Sequence, residues 1–252
     1  MPAPIAIQLY TVRDALAEDF ARVVERIATI GYVGVETADF PGTTPERAGQ
    51  IFKDLGLAVP SAHTELPLGK HKHEVLDTMA ALGCQRIISG KGPDDFTTMD
   101  RIKRTCGLFN EASAVARENG LAFGVHNHWW EFQHVEGRTV FEVMLEHLEP
   151  DVFFEIDTYW VQTAGADPAQ VVGRLGKRAP LLHIKDGPCV RGEPMVAVGD
   201  GAVDLPRIVE AGAGSTEWMV VELDACATDM VEAVEKSYHY LVKNGLAHGN
   251  QG

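Results

Sequence analysis

The sequence predicts one closed (β/α)8 TIM barrel spanning residues 1–252. Eight short apolar runs, each followed by a segment with helical periodicity, recur about 25 to 35 residues apart. No linker, charge block or low-complexity stretch divides them, and a chain of 252 residues suits a fold that typically needs about 250. A doubly wound open sheet would usually carry a G-x-G-x-x-G turn after an early strand, and none is present.

The first strand is Ile5 to Leu9, ending at Gln8, Tyr10 and Thr11, with Asp14 placed to cap the helix that Gly31 stops. Tyr32 to Thr37 forms the second and brings Glu36 to its end. Thr44-Pro45-Glu46 then has the cap-then-proline order of a helix start. Leu57 to Ala62 is the third strand, with His63 at its tip, followed by a helix over Lys72 to Leu82 that stops at Gly83. Arg86 to Ser89 is the fourth strand, and a long amphipathic helix covers Thr97 to Asn119. The fifth strand lies in Leu121 to Phe132 (LAFGVHNHWWEF), where an apolar run ends in ligand-type side chains. Val152 to Ile156, nearly all apolar as a strand buried on both faces should be, leads into Asp157. Asp167-Pro168 opens a helix, Leu181 to Ile184 is the seventh strand, and Trp218 to Val221 the eighth, ending at Glu222 and Asp224. A last helix covers Thr228 to Val242, and the small polar residues after it are expected to fray.

The net charge of −14 argues against a nucleic-acid surface and against an anionic membrane, and leaves small-molecule and metal chemistry open. Cys84, Cys106, Cys189 and Cys226 show no C-x-x-C pairing and read as reduced thiols. MPAPIAIQLY lacks a cationic region ahead of its apolar residues, and no apolar run is long enough to span a bilayer, so a cytoplasmic protein is expected.

In a barrel the strand C-termini converge on one face. Gln8, Glu36, His63, His126 with His128, Asp157, His183 and Glu222 therefore become neighbours. Singly each has a plain structural reading: His63 as a turn cap, Glu36 as a lysine partner, Asp157 as a helix cap. So many polar tips would be costly to bury unpaired, and a divalent cation would remedy that. One His tip with carboxylates from Glu131, Asp157 and Glu222 makes a mixed N/O site suited to a single Mn²⁺, Mg²⁺, Co²⁺ or Zn²⁺. Trp129, Trp130, Trp160, Tyr10 and Phe40 border the tips and could wall a sugar-sized pocket. Gly90-Lys91-Gly92 lacks the full phosphate-loop pattern, and Lys185 is the better cation for a substrate oxyanion.

The stretches HNHWWEF, EIDTYWVQTAGADP, HIKDG, VGDGAVD and VELD, in that order, resemble the xylose-isomerase-like barrel family of sugar phosphate isomerases and epimerases over essentially the whole chain. The resemblance implies one divalent metal held by Glu131, Asp157, His183 and Glu222. Many members carry Glu on strand five where this chain has His126, so either Glu131 reaches back or His126 takes that ligand position. It further implies proton abstraction beside a carbonyl through a metal-stabilised enediolate, with Glu222 as base and Glu131 returning the proton. His128 or Lys185 would instead act as acid on a leaving hydroxyl. Gln8, Glu36, His63, His126 and Trp160 are expected to contact substrate.

The first functional reading is a metal-dependent isomerase or epimerase of a keto sugar or inosose. The alternative is a dehydratase, a lyase of a keto-inositol or dehydroshikimate-like substrate. A zinc-dependent DNA repair endonuclease stands third, disfavoured by the acidic balance, and a barrel that binds a metal or sugar without turnover stands fourth. A small sugar or cyclitol is the expected partner. Association into a homo-oligomer is left open, since no stretch identifies an interface.

Overall fold

The computed structural model describes residues 2–250. Its eight barrel strands are β1 (Ile5–Gln8), β2 (Gly34–Glu36), β3 (Ala62–His63), β4 (Arg86–Ser89), β5 (Ala122–His126), β6 (Phe153–Asp157), β7 (Leu181–Ile184) and β8 (Trp218–Val221). All pairings among them are parallel, in the order β2-β1-β8-β7-β6-β5-β4-β3. Parallel bridges Gly34↔Ala58 and Thr37↔Ala62 bring the two ends together, so the sheet is a nearly closed barrel. The bond from the His63 amide to the Thr37 carbonyl, 2.7 Å, is part of that closure. The fold is the expected TIM barrel.

Successive strand residues face opposite sides. Ile7, Val35, Phe123, Phe154, Ile156, Ile184 and Val221 join the large apolar layer between the strands and the helices. A separate small cluster of Ile88, Phe153 and Leu181, with Trp218 against it, lies on the other face and plugs the lower barrel. Gly34 and Gly124 belong to this plug by having no side chain. A Cβ at Gly34 would stand 2.7 Å from the Trp218 ring, and one at Gly124 would stand 2.3 Å from Phe153. Two residues further along the same inward face of β6 the chain turns polar, at Glu155 and then Asp157. The plug thus ends where the site begins.

Several helix expectations hold closely. Thr44 caps Pro45–Asp54 by accepting from the Arg47 amide, Lys72–Leu82 ends at left-handed Gly83 (φ 63°), and Asp167 caps Pro168–Leu175. The first helical segment differs from expectation. It breaks into Arg13–Glu18 and Phe20–Ile30, and the capping carboxylate is Asp19, not Asp14, which lies inside the first turn of the earlier piece. The third strand is also shorter than Leu57 to Ala62, because Pro60 cannot donate to a ladder. The chain end does not fray as far as residue 250. His248 bonds both ways with the segment that leads into β1 (Ile5 amide to His248 carbonyl, 2.9 Å; His248 amide to Ala3 carbonyl, 2.8 Å), and the Asn250 amide donates to the Gly31 carbonyl. Residues 251 and 252 lie outside the described part of the chain. No helix among the described residues is long and apolar enough to cross a membrane.

Candidate metal and active site

The polar tips meet at the C-terminal mouth of the barrel in two lobes that share His183. Both of its ring nitrogens are engaged. Nδ1 lies 2.8 Å from Glu222 Oε2, while Nε2 lies 2.6 Å from Glu36 Oε1 and 3.1 Å from Glu155 Oε2. The ring, like Glu36, Glu155 and Asp157, is fully buried.

The outer lobe holds Asp157, Glu222 and Lys185. The Lys185 ammonium sits 2.9 Å from Asp157 Oδ2, 2.7 Å from Glu222 Oε2 and 2.8 Å from Asp224 Oδ2. Burial alone would neutralise this lysine, but the three carboxylates outweigh it and hold its pKa well above the ordinary value. Reciprocally, Lys185 and His183 overcome the burial of Glu222 and keep it ionised, its pKa well below the usual range. Asp157 ends higher, at about 6, because its burial outweighs the pull of Lys185 and His183. Its other oxygen caps the short helix Thr158–Thr163 through the Trp160 amide, 2.8 Å, so the helix-cap and site roles of Asp157 coexist. Asn127 fixes the backbone there, accepting from the Asp157 amide at 3.0 Å.

The inner lobe holds Glu36, Glu155 and His63. Gln8 donates to Glu36 Oε1 at 2.7 Å and Ser61 donates to Glu36 Oε2. His63 Nε2 lies 2.6 Å from Glu155 Oε2 and 3.3 Å from Glu36 Oε1, and its ring stacks on that of His183 at 5.4 Å. Burial opposes protonation of His63, yet the two carboxylates raise its pKa to about 10. Glu155 is pushed to about 8 by burial and by the nearby charge of Glu36. Its position in an otherwise apolar strand hid it from the sequence reading, although period-two spacing from Asp157 puts both on one face.

His126 stands between the lobes, with Nδ1 3.3 Å from Glu155 Oε2 and Nε2 3.9 Å from Asp157 Oδ2. Burial and the surrounding cations push its pKa well down, so the ring is neutral and has a lone pair to offer. His128 stacks on Trp130 (centroids 4.1 Å apart) and is likewise neutral, its pKa lowered to about 3 by burial and by Lys185.

Glu131 lies on the single turn Trp130–Phe132 and is completely buried. One carboxyl oxygen accepts the His128 amide at 2.8 Å, and the other has no hydrogen-bond partner among the described residues. Burial raises its pKa to about 8, against the opposing His128 amide. A group whose folded pKa is raised contributes stability below its ordinary value of 4.5 and loses it as pH climbs toward 8. Glu131→Gln, which keeps an acceptor for that amide, is therefore expected to gain stability over the wild type by a few kcal/mol between pH 5 and pH 8.5. Urea midpoints in EDTA at the two pH values measure it; an unchanged gap between variant and wild type would refute the burial argument.

Behind the site, Asp186 is a loop anchor. Its carboxylate accepts from the amides of Gly187, Gly199, Gly201 and Val203 at 2.8 to 3.1 Å. This explains the VGDGAVD stretch, since a Cβ on Gly201 would fall 2.1 Å from Asp186 Oδ1. Met195, midway along the same segment, bonds through its backbone to Ala225 and Ala227 and fixes the loop that follows Glu222. At the rim, Trp160 lies 5.7 Å from the Lys185 ammonium and Arg191 covers the Trp129 ring at 4.2 Å. Tyr10 is exposed beneath Arg13, and Phe40 packs against the core. The Gly90-Lys91-Gly92 turn supplies the Lys91 carbonyl to the Trp130 indole.

The donors present fit a divalent ion. Ligand atoms of His126, Asp157, His183 and Glu222 lie within 4.8 Å of one another, as do those of His63, His126, Glu155 and His183. Glu131 belongs to neither group, so the structure sets His126 beside Asp157, His183 and Glu222. Among the described residues, His126 Nδ1 and Glu155 Oε1 are buried without a hydrogen bond, which is the deficit a cation would fill.

A parallel barrel with a buried His/Glu/Asp cluster at its C-terminal mouth is the architecture of barrel enzymes that can hold a metal. The chain belongs to the xylose isomerase-like TIM barrel family, whose profile matches residues 24–238. It is similar to a sugar phosphate isomerase/epimerase from Parabacteroides distasonis, at 25% identity and TM-score 0.84, over 98% of this chain and 96% of that one. An L-ribulose 3-epimerase shares the fold at 15% identity and TM-score 0.72, over 97% of this chain and 94% of that one. So does the IOLI protein with a bound zinc atom, at 15% identity and TM-score 0.71, over 95% and 97%. No curated protein matches the chain.

Proposed function

We propose that the chain is a single-domain, divalent-metal-dependent isomerase or epimerase of a keto sugar or inosose, acting in the cytoplasm without nucleic acid or membrane. The observation that carries this reading is the convergence of Asp157, His183 and Glu222 with His126 on one small volume at the barrel mouth, with donor atoms left over. An ion there would supply positive charge to the oxygens of an adjacent carbonyl and hydroxyl, lowering the cost of an enediolate. The Mn²⁺, Mg²⁺, Co²⁺ and Zn²⁺ ions all suit the mixed donor set.

The chain's own residues supply the proton chemistry. Glu222 is kept ionised by Lys185 and His183 and takes the α-proton. Glu131, raised to about 8 by burial, keeps its proton at neutral pH and returns one. Two carboxyl groups driven apart in this way are the usual mark of a base and an acid. Lys185 compensates the developing oxyanion, and Trp160, His63, Gln8 and Glu36 line the substrate's approach.

Asp157→Asn and His183→Ala are expected to lose bound metal and activity while the barrel still folds. Elemental analysis with circular dichroism tests this, and wild-type metal content in both variants would contradict the seat. Proton NMR in D₂O with D-fructose and a keto-inositol tests the reaction. Exchange of the α-proton without loss of water supports the reading, an enone absorbance marks a dehydratase, and no exchange with metal bound removes both.

A further inference from the structure

We infer that the cleft where the loops after β5, β6 and β7 meet is an oxyanion subsite headed by Arg191, for a phosphate or carboxylate carried by the substrate at the end remote from its reacting carbonyl. The inference deepens the isomerase reading above and rests on it. The lining of the cleft includes Trp129, Gln133, His134, Thr163 and Arg191. Its volume of about 490 Å³ lies within the range of small-molecule pockets.

The uncommitted guanidinium supports it first. Among the described residues four cations lie over aromatic rings, and three of them have other partners. Arg13 and Arg178 donate to backbone carbonyls, and Lys185 pairs with carboxylates. Arg191, 4.2 Å from the centre of the Trp129 ring, makes no hydrogen bond or ion pair with any of those residues. Stacking uses the face of the guanidinium and leaves its in-plane N–H fork free, which is the geometry that takes a carboxylate or phosphate edge bidentately.

The loop that carries Arg191 is built to present it. The Glu193 amide donates to the Val190 carbonyl at 3.2 Å, closing a turn whose third residue, Gly192, has φ 86°, a left-handed value that glycine adopts freely. Asp186 ties the two ends of the loop together through the Gly187 and Gly199 amides. In the cleft wall, the Thr163 hydroxyl is buried without a hydrogen bond among the described residues, so a further donor there is unspent.

Charge separation is the independent support. No Asp or Glu lines this cleft, in a chain that has 36 of them, whereas Asp157, Glu222 and Asp224 crowd the centre of the mouth around Lys185. An anionic group is repelled by that centre and drawn to Arg191, so the two poles fix which end of a sugar meets the metal ligands. Ring-to-ring steps of 4.9, 4.1 and 5.4 Å lead from His126 through His128 and Trp130 to Trp129. The straight line is shorter than that path, which suits an open-chain sugar with its anion at the far end.

The test is isothermal titration calorimetry of the full chain in Mn²⁺ with D-fructose, D-fructose 6-phosphate and 5-keto-D-gluconate, which carry no anion, a phosphate and a carboxylate. At least one anionic sugar should bind about 10- to 100-fold more tightly than D-fructose, the margin of hydrogen bonds to a charged group, and the one that does so identifies the anion. Arg191→Gln, a change at an exposed turn, should remove that margin. The subsite is overturned if neither anionic sugar binds, if neither shows a margin, or if the margin survives Arg191→Gln. Proton exchange in D₂O keeps the two failures apart. Exchange of D-fructose with no anion margin removes the subsite alone, and a margin lost in Arg191→Gln with no exchange of any sugar removes the isomerase reading and leaves the subsite.

Discussion

Lys185→Met, held in EDTA, is expected to be destabilised by about 3–5 kcal/mol, the usual cost of leaving buried charges without their partner. At roughly 2–4 °C per kcal/mol for a chain of this size, the melting temperature should fall by about 10 °C or more. The cause is local. The ammonium touches Asp157, Glu222 and Asp224 within 2.9 Å, and without it the first two carboxylates face each other in a dry pocket. The deficit should shrink as pH falls toward about 6, because Asp157, freed of the Lys185 charge that lowers its pKa, takes up its proton above the wild-type value. Saturating Mn²⁺ should recover most of the loss, because a divalent ion neutralises the same oxygens. Thermal melts in EDTA and in Mn²⁺ measure both effects, and an unshifted melt in EDTA would refute the counter-ion role.

Glu222→Gln is expected to lower turnover by roughly 10²–10⁴-fold, the range for removing a positioned general base. The amide keeps an oxygen for Lys185 and for a cation but cannot accept the α-proton. Metal content should therefore fall much less than the exchange rate measured by NMR in D₂O. A variant that exchanges solvent protons at the wild-type rate would move the base to Glu131 or to a histidine. One that loses metal and exchange in equal measure would make Glu222 a ligand and nothing more.

Much of this site was legible before the fold. The strand tips Glu36, His63, His126, Asp157, His183 and Glu222 were readable because apolar runs end in polar residues and a barrel gathers those ends. Glu155 escapes such a reading, because it sits inside a strand that is otherwise nearly all apolar and precedes the tip residue Asp157 by two. Its partner His63 comes from β3, so their meeting depends on the closure of the cylinder and on no local pattern. Glu131 shows the opposite case. Its residue type and nearness to the HNH tip suggested a ligand, but the turn over Trp130–Phe132 aims one of its oxygens at the His128 amide, and sequence spacing carries no record of that direction. The bonds from the Gly199, Gly201 and Val203 amides to Asp186 are equally invisible, although all three residues stand in plain view in VGDGAVD.

The apolar floor made by Ile88, Phe153, Leu181 and Trp218 gives the molecule one doorway. Whatever reaches the carboxylates must come in and go out through the C-terminal mouth, cations and chelators included. Capture and release of an ion are thereby tied to the traffic of sugar through the same opening, and an occupied mouth should protect a bound metal from extraction.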